Sequence, residues 1–186
     1  MLYSSTRGKD NKLKFTDVLL NGLARDGGLY VPNQIPKYKE KEINYLKSLD
    51  YAKLAFEIVK PFISGEIPNK ELEKICQETY SKSFGKHKVT IDKLNEKEYV
   101  ANLFHGPTFA FKDFALQLLG NIYDYILKKK KIKLTILGAT SGDTGSAAIH
   151  GCSKSENLKI FILFPYKKVS EIQRKQMTTF NKNNVY

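Results

Sequence analysis

Cysteine is scarce in this chain, whose 186 residues contain only Cys76 and Cys152. Two cysteines in a chain of this length do not make a disulfide scaffold, so we expect two free thiols in a reducing cytoplasm. Long apolar runs are also missing, since no stretch approaches the roughly 18 residues that span a membrane. The first nine residues lack the apolar core of a secretory signal. These absences predict a cytoplasmic protein with no membrane partner.

Arginine is the scarce member of the basic residues. The formal net charge is +12, yet the only arginines are Arg7, Arg25 and Arg174. Arginine is the residue that reads phosphates and guanines with a two-pronged fork, whereas the lysines of this chain are scattered along it. We therefore expect no nucleic-acid partner.

Histidine is equally rare, and its spacing fits no common metal site. His87, His105 and His150 have no paired ligand at zinc spacing, so no metal is expected. No Ser-His-Asp or Cys-His arrangement can be argued either. With 41% hydrophobic and 27% charged residues, the composition is that of an ordinary globular chain that can bury a core.

The first half of the chain predicts short helices separated by turns. Thr16 is a good N-cap for a helix over residues 17–24. Asp50 and Asn69 could cap two further helices with apolar faces. This rhythm predicts a mainly helical N-terminal domain over residues 1–95.

The second half alternates short apolar strands with helices. This alternation implies a parallel sheet with right-handed crossovers, so residues 96–186 are predicted to form an α/β domain with an incomplete sheet. Apolar runs bounded by glycine favour strands that are buried in that sheet. The predicted elements are strands over 98–104, 133–139 and 158–164, helices over 115–126 and 145–152, a helix opened by the Ser170–Gln173 capping box, and a strand beginning at Val185 and Tyr186.

The segment HGPTFAFKDF, residues 105–114, places a lysine between a Gly-Pro turn and a helix. Asp113 can cap that helix, which puts the Lys112 amine near the positive end of the helix dipole. Phe109, Phe111 and Phe114 flank the lysine. Both features disfavour the charged ammonium, and a neutral amine is what an imine-forming lysine needs. On these residues alone, an ordinary surface lysine is the better interpretation.

The segment GATSGDTGS, residues 138–146, joins a predicted strand to a helix. Such a junction presents backbone N–H groups to an anion, at the carboxyl end of a strand where open parallel sheets bind ligands. No P-loop lysine follows the glycines, and the dinucleotide spacing Gly-x-Gly-x-x-Gly is absent. The residues predict either an anion site or a tight turn with Asp143 as the helix cap.

Together these segments resemble the threonine synthase family. HGPTFAFKDFALQ, residues 105–117, is similar to the family's lysine motif, and TSGDTG, residues 140–145, is similar to the substrate loop of fold-type-II pyridoxal-phosphate enzymes. YSSTR at residues 3–7 and GLARDGGLYVP at residues 22–32 resemble the opening of the longer bacterial and fungal subgroup. The similarity covers essentially the whole chain in family order, and it overturns the surface-lysine interpretation.

The resemblance implies a fold, a cofactor and a reaction. The fold would be α/β and tryptophan synthase beta-like (fold type II), with a mainly helical region before an incomplete parallel-sheet domain that binds pyridoxal 5'-phosphate (PLP). The reaction would convert O-phosphohomoserine and water to threonine and phosphate, the last step of threonine biosynthesis. Lys112 would be the catalytic residue and would hold PLP as an imine. The substrate carboxylate would bind Thr140, Ser141, Gly142, Thr144 and Gly145, and Asp143 would contact the cofactor.

The resemblance also implies that part of the site lies elsewhere. Family members are more than twice as long, and their groups for the PLP phosphate and the pyridine nitrogen lie in the C-terminal part. We therefore expect this chain to need that part, which a separate chain could supply. Two alternatives stay open, namely another fold-type-II PLP lyase or phospho-lyase, and a catalytically inactive remnant.

Overall fold

The structure is a computed structural model and describes all residues, 1–186. The chain divides into two compact units, residues 1–77 and 78–186, with the boundary inside one helix. The expected domain boundary at residue 95 stays a prediction. No helix combines the length and the apolar character that crossing a membrane requires.

Seven strands and seven helices follow one another along the chain. The strands are β1 (Tyr3–Ser5), β2 (Asn11–Leu13), β3 (Tyr30–Pro32), β4 (Thr90–Lys93), β5 (Tyr99–Asn102), β6 (Leu134–Ala139) and β7 (Leu158–Leu163). The helices are α1 (Phe15–Asn21), α2 (Glu40–Lys47), α3 (Tyr51–Ile63), α4 (Asn69–Lys82), α5 (Asp113–Lys130), α6 (Asp143–Cys152) and α7 (Glu171–Thr178).

The first unit contains a three-stranded antiparallel sheet in the order β2-β1-β3. The turn before β3 is tied to β1 by the Asp26 carboxylate, which accepts hydrogen bonds from the Ser5 hydroxyl at 2.6 Å and from the Gly28 N–H at 3.0 Å. The Ser5 hydrogen bond is the largest cause of the lowered pKa of Asp26. The two N-terminal motifs quoted above therefore contact each other.

Two helix starts in this unit show where sequence spacing succeeds and where it fails. Asp50 caps α3 as predicted, since its carboxylate accepts from a backbone N–H three residues on, at 3.0 Å. The predicted Thr16 cap is wrong, because α1 begins at Phe15 and Lys14 holds the cap position. The Glu66 carboxylate instead accepts from the N–H groups of Phe15 and Thr16 at 2.7 and 3.2 Å. Glu66, about 50 positions away in the sequence, thus satisfies the N–H groups that a local cap would otherwise satisfy.

The second unit contains a small parallel sheet and a separate hairpin. β6 and β7 pair in parallel along their whole length, whereas β4 and β5 form an antiparallel pair. A parallel bridge joins Ile160 to Val185, so the end of the chain begins a third strand, as predicted. The predicted α/β architecture with a partial parallel sheet is confirmed.

Only one face of this parallel sheet is packed. Leu158 and Ile160 are fully buried, but Leu137 and Leu163 are 71% and 59% exposed. The expectation that these strands are buried in the sheet is therefore wrong for the second face. On that face Tyr186 stacks on Phe161, while Leu137 and Leu163 stay exposed, although parallel sheets are usually covered on both faces.

Helices α5 and α6 meet at two glycines. A Cβ on Gly120 would overlap the carbonyl oxygen of Gly151, and a Cβ on Gly151 would overlap the carbonyl oxygen of Leu116. Gln117 of α5 contacts Ala147 of α6, and Gly120, further along α5, contacts Gly151, further along α6. The two helices therefore run parallel, and their N-termini lie at the same end.

Replacing Gly120 by Ala should destabilise the chain by about 1–3 kcal/mol, because the new methyl group overpacks a backbone contact. At an open helical position the same change would stabilise by roughly 1 kcal/mol, so the sign of the effect is informative. Urea unfolding measures it. Gly85→Ala, at a glycine surrounded by open space, is the control and should stay within about 0.5 kcal/mol. A G120A chain as stable as the parent would contradict the close helix contact.

Candidate functional site

The lysine segment and the TSGDTG loop lie at the same end of the α5–α6 pair. Lys112 immediately precedes α5, and Gly142 immediately precedes α6. Because the helices run parallel and Gln117 lies opposite Ala147, the two helix starts lie at the same level. This end is also the carboxyl edge of β6, since only residues 140–142 separate β6 from α6. The structure thus brings together the two segments that the sequence singled out.

Asp113 organises the loop that precedes α5. Its side chain is fully buried, and its carboxylate accepts from the Thr108 N–H at 2.8 Å, the Thr108 hydroxyl at 2.9 Å and the Gln117 amide at 3.3 Å. The predicted capping of α5 by Asp113 is wrong, because Lys112 holds the cap position and no side chain caps it. The carboxylate instead folds back onto the loop, and this fixes the backbone beside Lys112.

Gln117 extends this polar contact to α6. Its amide nitrogen lies 3.4 Å from the Ala147 carbonyl oxygen, and its amide oxygen lies 3.0 Å from His150 Nδ1. An amide oxygen can only accept, so His150 Nδ1 carries the proton in this contact. Burial and then the nearby Lys154 lower the pKa of His150, while Asp113 acts in the opposite direction. His150 is therefore neutral at pH 7 and joins the two helices as a hydrogen-bond donor.

The Lys112 side chain is half-buried, and its Nζ lies 4.3 Å from the centre of the Phe111 ring. Phe111 and Phe109 are 59% and 75% exposed. The Phe111 ring lies within cation–π distance of the amine, and the expectation that the flanking phenylalanines disfavour a charged ammonium stays a prediction. The position of Lys112 at the start of a helix is confirmed, and its role stays a prediction.

Thr140 organises the second loop. Its hydroxyl oxygen accepts from the N–H groups of Gly142 and Gly145, both at 3.0 Å. The predicted capping of α6 by Asp143 is wrong, because its carboxylate accepts from Gln173 Nε2 at 2.7 Å. Gly142 adopts a φ of 146°, which other residues rarely adopt, and this allows the sharp turn into the helix.

Three backbone N–H groups of this loop have no acceptor within the chain, and they belong to Ser141, Asp143 and Thr144. All three residues are exposed. Unpaired N–H groups at a helix N-terminus, together with the helix dipole, form an anion-binding position. This position shares its edge with Lys112, so the arrangement can hold an anionic group near an amine.

Two residues at this edge were missed by the sequence reasoning. Gln173 and Gln176 of α7 donate to Asp143 and to the Thr108 carbonyl oxygen, respectively. The Ser170–Gln173 capping box was predicted and is confirmed, but a capping box gives no sign of a second contact. Only the spacing of three residues between the glutamines, which places them on one helix face, could have suggested a shared role.

Comparison with known proteins finds relatives over the whole chain. A sequence model described as threonine synthase N terminus matches residues 2–80. A threonine synthase of Pseudomonas aeruginosa is 50% identical over 186 residues, which are 100% of this chain and 40% of that protein. One of Schizosaccharomyces pombe is 42% identical over 193 residues, covering 99% of this chain and 38% of that protein.

A solved structure gives the same result for the fold. The crystal structure of PLP-bound threonine synthase from Brucella melitensis matches with a TM-score of 0.92 and 45% identity, over 100% of this chain and 40% of that one. The chain therefore spans about 40% of the length of the relatives it matches. The predicted fold class, the N-terminal portion of this α/β fold, is confirmed.

Replacing Asp113 by Asn should destabilise the chain by about 1–3 kcal/mol, because one amide oxygen cannot accept from all three donors and at least one stays unpaired. Urea unfolding measures the loss. Glu171→Gln, at an exposed carboxylate on α7 that contacts only Lys175, is the matched control and should change stability by less than about 0.5 kcal/mol. Equal stabilities for the two variants would show that the buried network contributes nothing.

Proposed function

The chain belongs to the threonine synthase family and matches the N-terminal 40% of its members, and on that premise we propose that it supplies the cofactor lysine and the substrate loop of a PLP-dependent threonine synthase. The complete protein would convert O-phosphohomoserine and water to threonine and phosphate, the last step of threonine biosynthesis. The observation that carries the proposal is the shared edge, where Lys112 and the unpaired N–H groups of the TSGDTG loop lie at two parallel helix starts.

The residues at this edge fit PLP. Lys112 is half-buried on a backbone that Asp113 fixes, so its amine is reachable and held in place. Asp143 uses one carboxylate oxygen for Gln173, and its other oxygen has no partner in the chain and is available to the cofactor. We propose Lys112 as the covalent attachment point and Asp143 as a cofactor contact. The bound cofactor would supply an electron sink for the substrate.

The chain's own residues then have separate tasks. The Lys112 amine, once released from the cofactor by the substrate amine, would move protons at the α and β carbons of the substrate. The backbone N–H groups of Ser141 and Thr144 would donate to the substrate carboxylate. Thr140, through its bonds to Gly142 and Gly145, would hold the loop in the shape that presents those donors.

Three further assignments follow from the same premise. We propose that residues 1–95 are the family's N-terminal domain and that residues 96–186 are part of its catalytic domain. We place the protein in the cytoplasm, which suits two cysteines that are both free and buried. The partner we propose is the rest of the enzyme, in the same or a separate chain, which would contact the PLP phosphate and the pyridine nitrogen.

Treating the chain with PLP and then borohydride should fix PLP on Lys112, because a reachable amine on a rigid helix start forms the imine that borohydride reduces. Peptide mass spectrometry locates the adduct. Lys112→Ala should abolish that labelled site, whereas Lys131→Ala, beyond the far end of the same helix, should leave it unchanged. Labelling spread over exposed lysines, with no preference for Lys112, would contradict the assignment.

The chain alone should not release phosphate from O-phosphohomoserine at the 1 per second or more that is typical of enzymes, even with PLP added. Lys112 and the TSGDTG loop supply only part of the site, and correct orientation accounts for roughly 7–11 kcal/mol of a barrier. A phosphate-release assay tests this, and turnover at an enzymatic rate would contradict it. In the complete protein, phosphate release without threonine formation would favour the phospho-lyase alternative, and no release would favour an inactive remnant.

A further inference from the structure

Helix α7 contacts both loops of the proposed site through two glutamines. Gln173 Nε2 donates to Asp143 Oδ1 at 2.7 Å, and Gln176 Nε2 donates to the carbonyl oxygen of Thr108 at 3.1 Å. We propose that Gln173 and Gln176 are positioning residues, a glutamine latch that holds the Lys112 loop and the TSGDTG loop at a fixed separation. What the two loops bind rests on the proposed function above.

Helix α7 is capped at its start and packs against α6 through Met177, so it can act as a support for the two loops. The Ser170 hydroxyl accepts from the Gln173 N–H and opens the helix. Met177, near its other end, is buried, and its sulfur lies close to Gly145 in the first turn of α6. The backbone of a packed helix is already ordered, so only the side chain loses conformational freedom when such a helix forms a hydrogen bond to a loop.

Gln173 uses both ends of its amide. Its oxygen accepts from the Ser170 N–H at 3.2 Å and from the Ser170 hydroxyl at 3.0 Å, while its nitrogen donates to Asp143. A glutamate would serve the capping box equally well, but it could not donate to a carboxylate. The contact with Asp143 therefore explains why a glutamine suits this position.

The hydrogen bond from Gln173 to Asp143 also keeps the anion-binding position open. Asp143 is the first residue of α6, where an unrestrained carboxylate would compete with a bound anion for the free N–H groups. Gln173 holds this carboxylate, and no side chain caps α6 at its N-cap position. The latch thus leaves the N–H groups of Ser141 and Thr144 to a ligand.

Gln176 completes the latch on the lysine side. The Thr108 peptide is held from two directions, since its N–H donates to Asp113 and its carbonyl oxygen accepts from Gln176. Thr108 lies four residues before Lys112, in the loop that sets the lysine's position. Losing the Gln176 bond should loosen this loop without removing any group from Lys112 itself.

Hydrogen exchange on the purified 186-residue chain tests the latch. Gln173→Glu keeps the capping box, but it removes the donor to Asp143 and places a second carboxylate beside that of Asp143. The Gly142 and Gly145 amides should therefore exchange roughly tenfold faster. Gln176→Glu should accelerate the Thr108 amide several-fold, by roughly the effect of one neutral hydrogen bond. Arg174→Ala, an exposed change on the same helix, is the control and should leave all three amides unchanged.

A reversed pair separates positioning from loss of structure. In the double variant Gln173→Glu with Asp143→Asn, the asparagine amide can donate to the new carboxylate, so slow exchange at Gly142 and Gly145 should return. Exchange in both single variants that matches the Arg174→Ala control would overturn the latch, and so would a double variant with no recovery. Neither exchange measurement involves PLP. A failure to label Lys112 would therefore not affect the test of the latch, and a failure of the latch would not affect the labelling of Lys112.

Discussion

The structure around the proposed site depends on one close contact, the approach of α5 and α6 at Gly120 and Gly151. Two helices can meet backbone to backbone only where side chains are absent, so this contact fixes both their spacing and their register. Because the helices run parallel, the contact brings the starts of both to the carboxyl edge of the parallel strands. The Gly120–Gly151 contact therefore places Lys112 and the TSGDTG loop at the same edge.

Buried polar groups hold the two loops at that edge. The Asp113 carboxylate and the Gln117 amide are each almost fully buried, and both have hydrogen-bond partners. A buried carboxylate is costly unless its donors are all in place, so this network favours one loop conformation over its alternatives. On the open side, Gln173 and Gln176 connect the loops to α7. Buried hydrogen bonds and contacts with α7 therefore both order this edge, while three backbone N–H groups stay available to a ligand.

Local patterns predicted the elements after residue 98 well, but they predicted none of the strands β1 to β4, and they missed several long-range contacts. The Asp50 cap and the Ser170–Gln173 box are both present, because each depends on residues close in sequence, and the predicted strand at Val185 is present through its bridge to Ile160. The caps assigned to Asp113 and Asp143 are wrong, since the first carboxylate binds the Thr108 loop and the second binds α7. The family resemblance identified the lysine and loop segments, but their adjacency depends on a glycine contact between two helices that no spacing reveals.

The adjacency of Lys112 to the TSGDTG loop can be measured directly by paramagnetic NMR. A nitroxide on a cysteine at position 112, in a chain whose buried cysteines are replaced by Ala, broadens nearby amide signals. Helix α6 has 10 residues and is about 15 Å long, so the segments beyond its two ends lie at different distances from a label at position 112. A shared site predicts strong broadening at residues 141–145 and weaker broadening at residues 153–155, beyond the far end of α6. The opposite pattern, or equal broadening of both segments, would contradict a shared site.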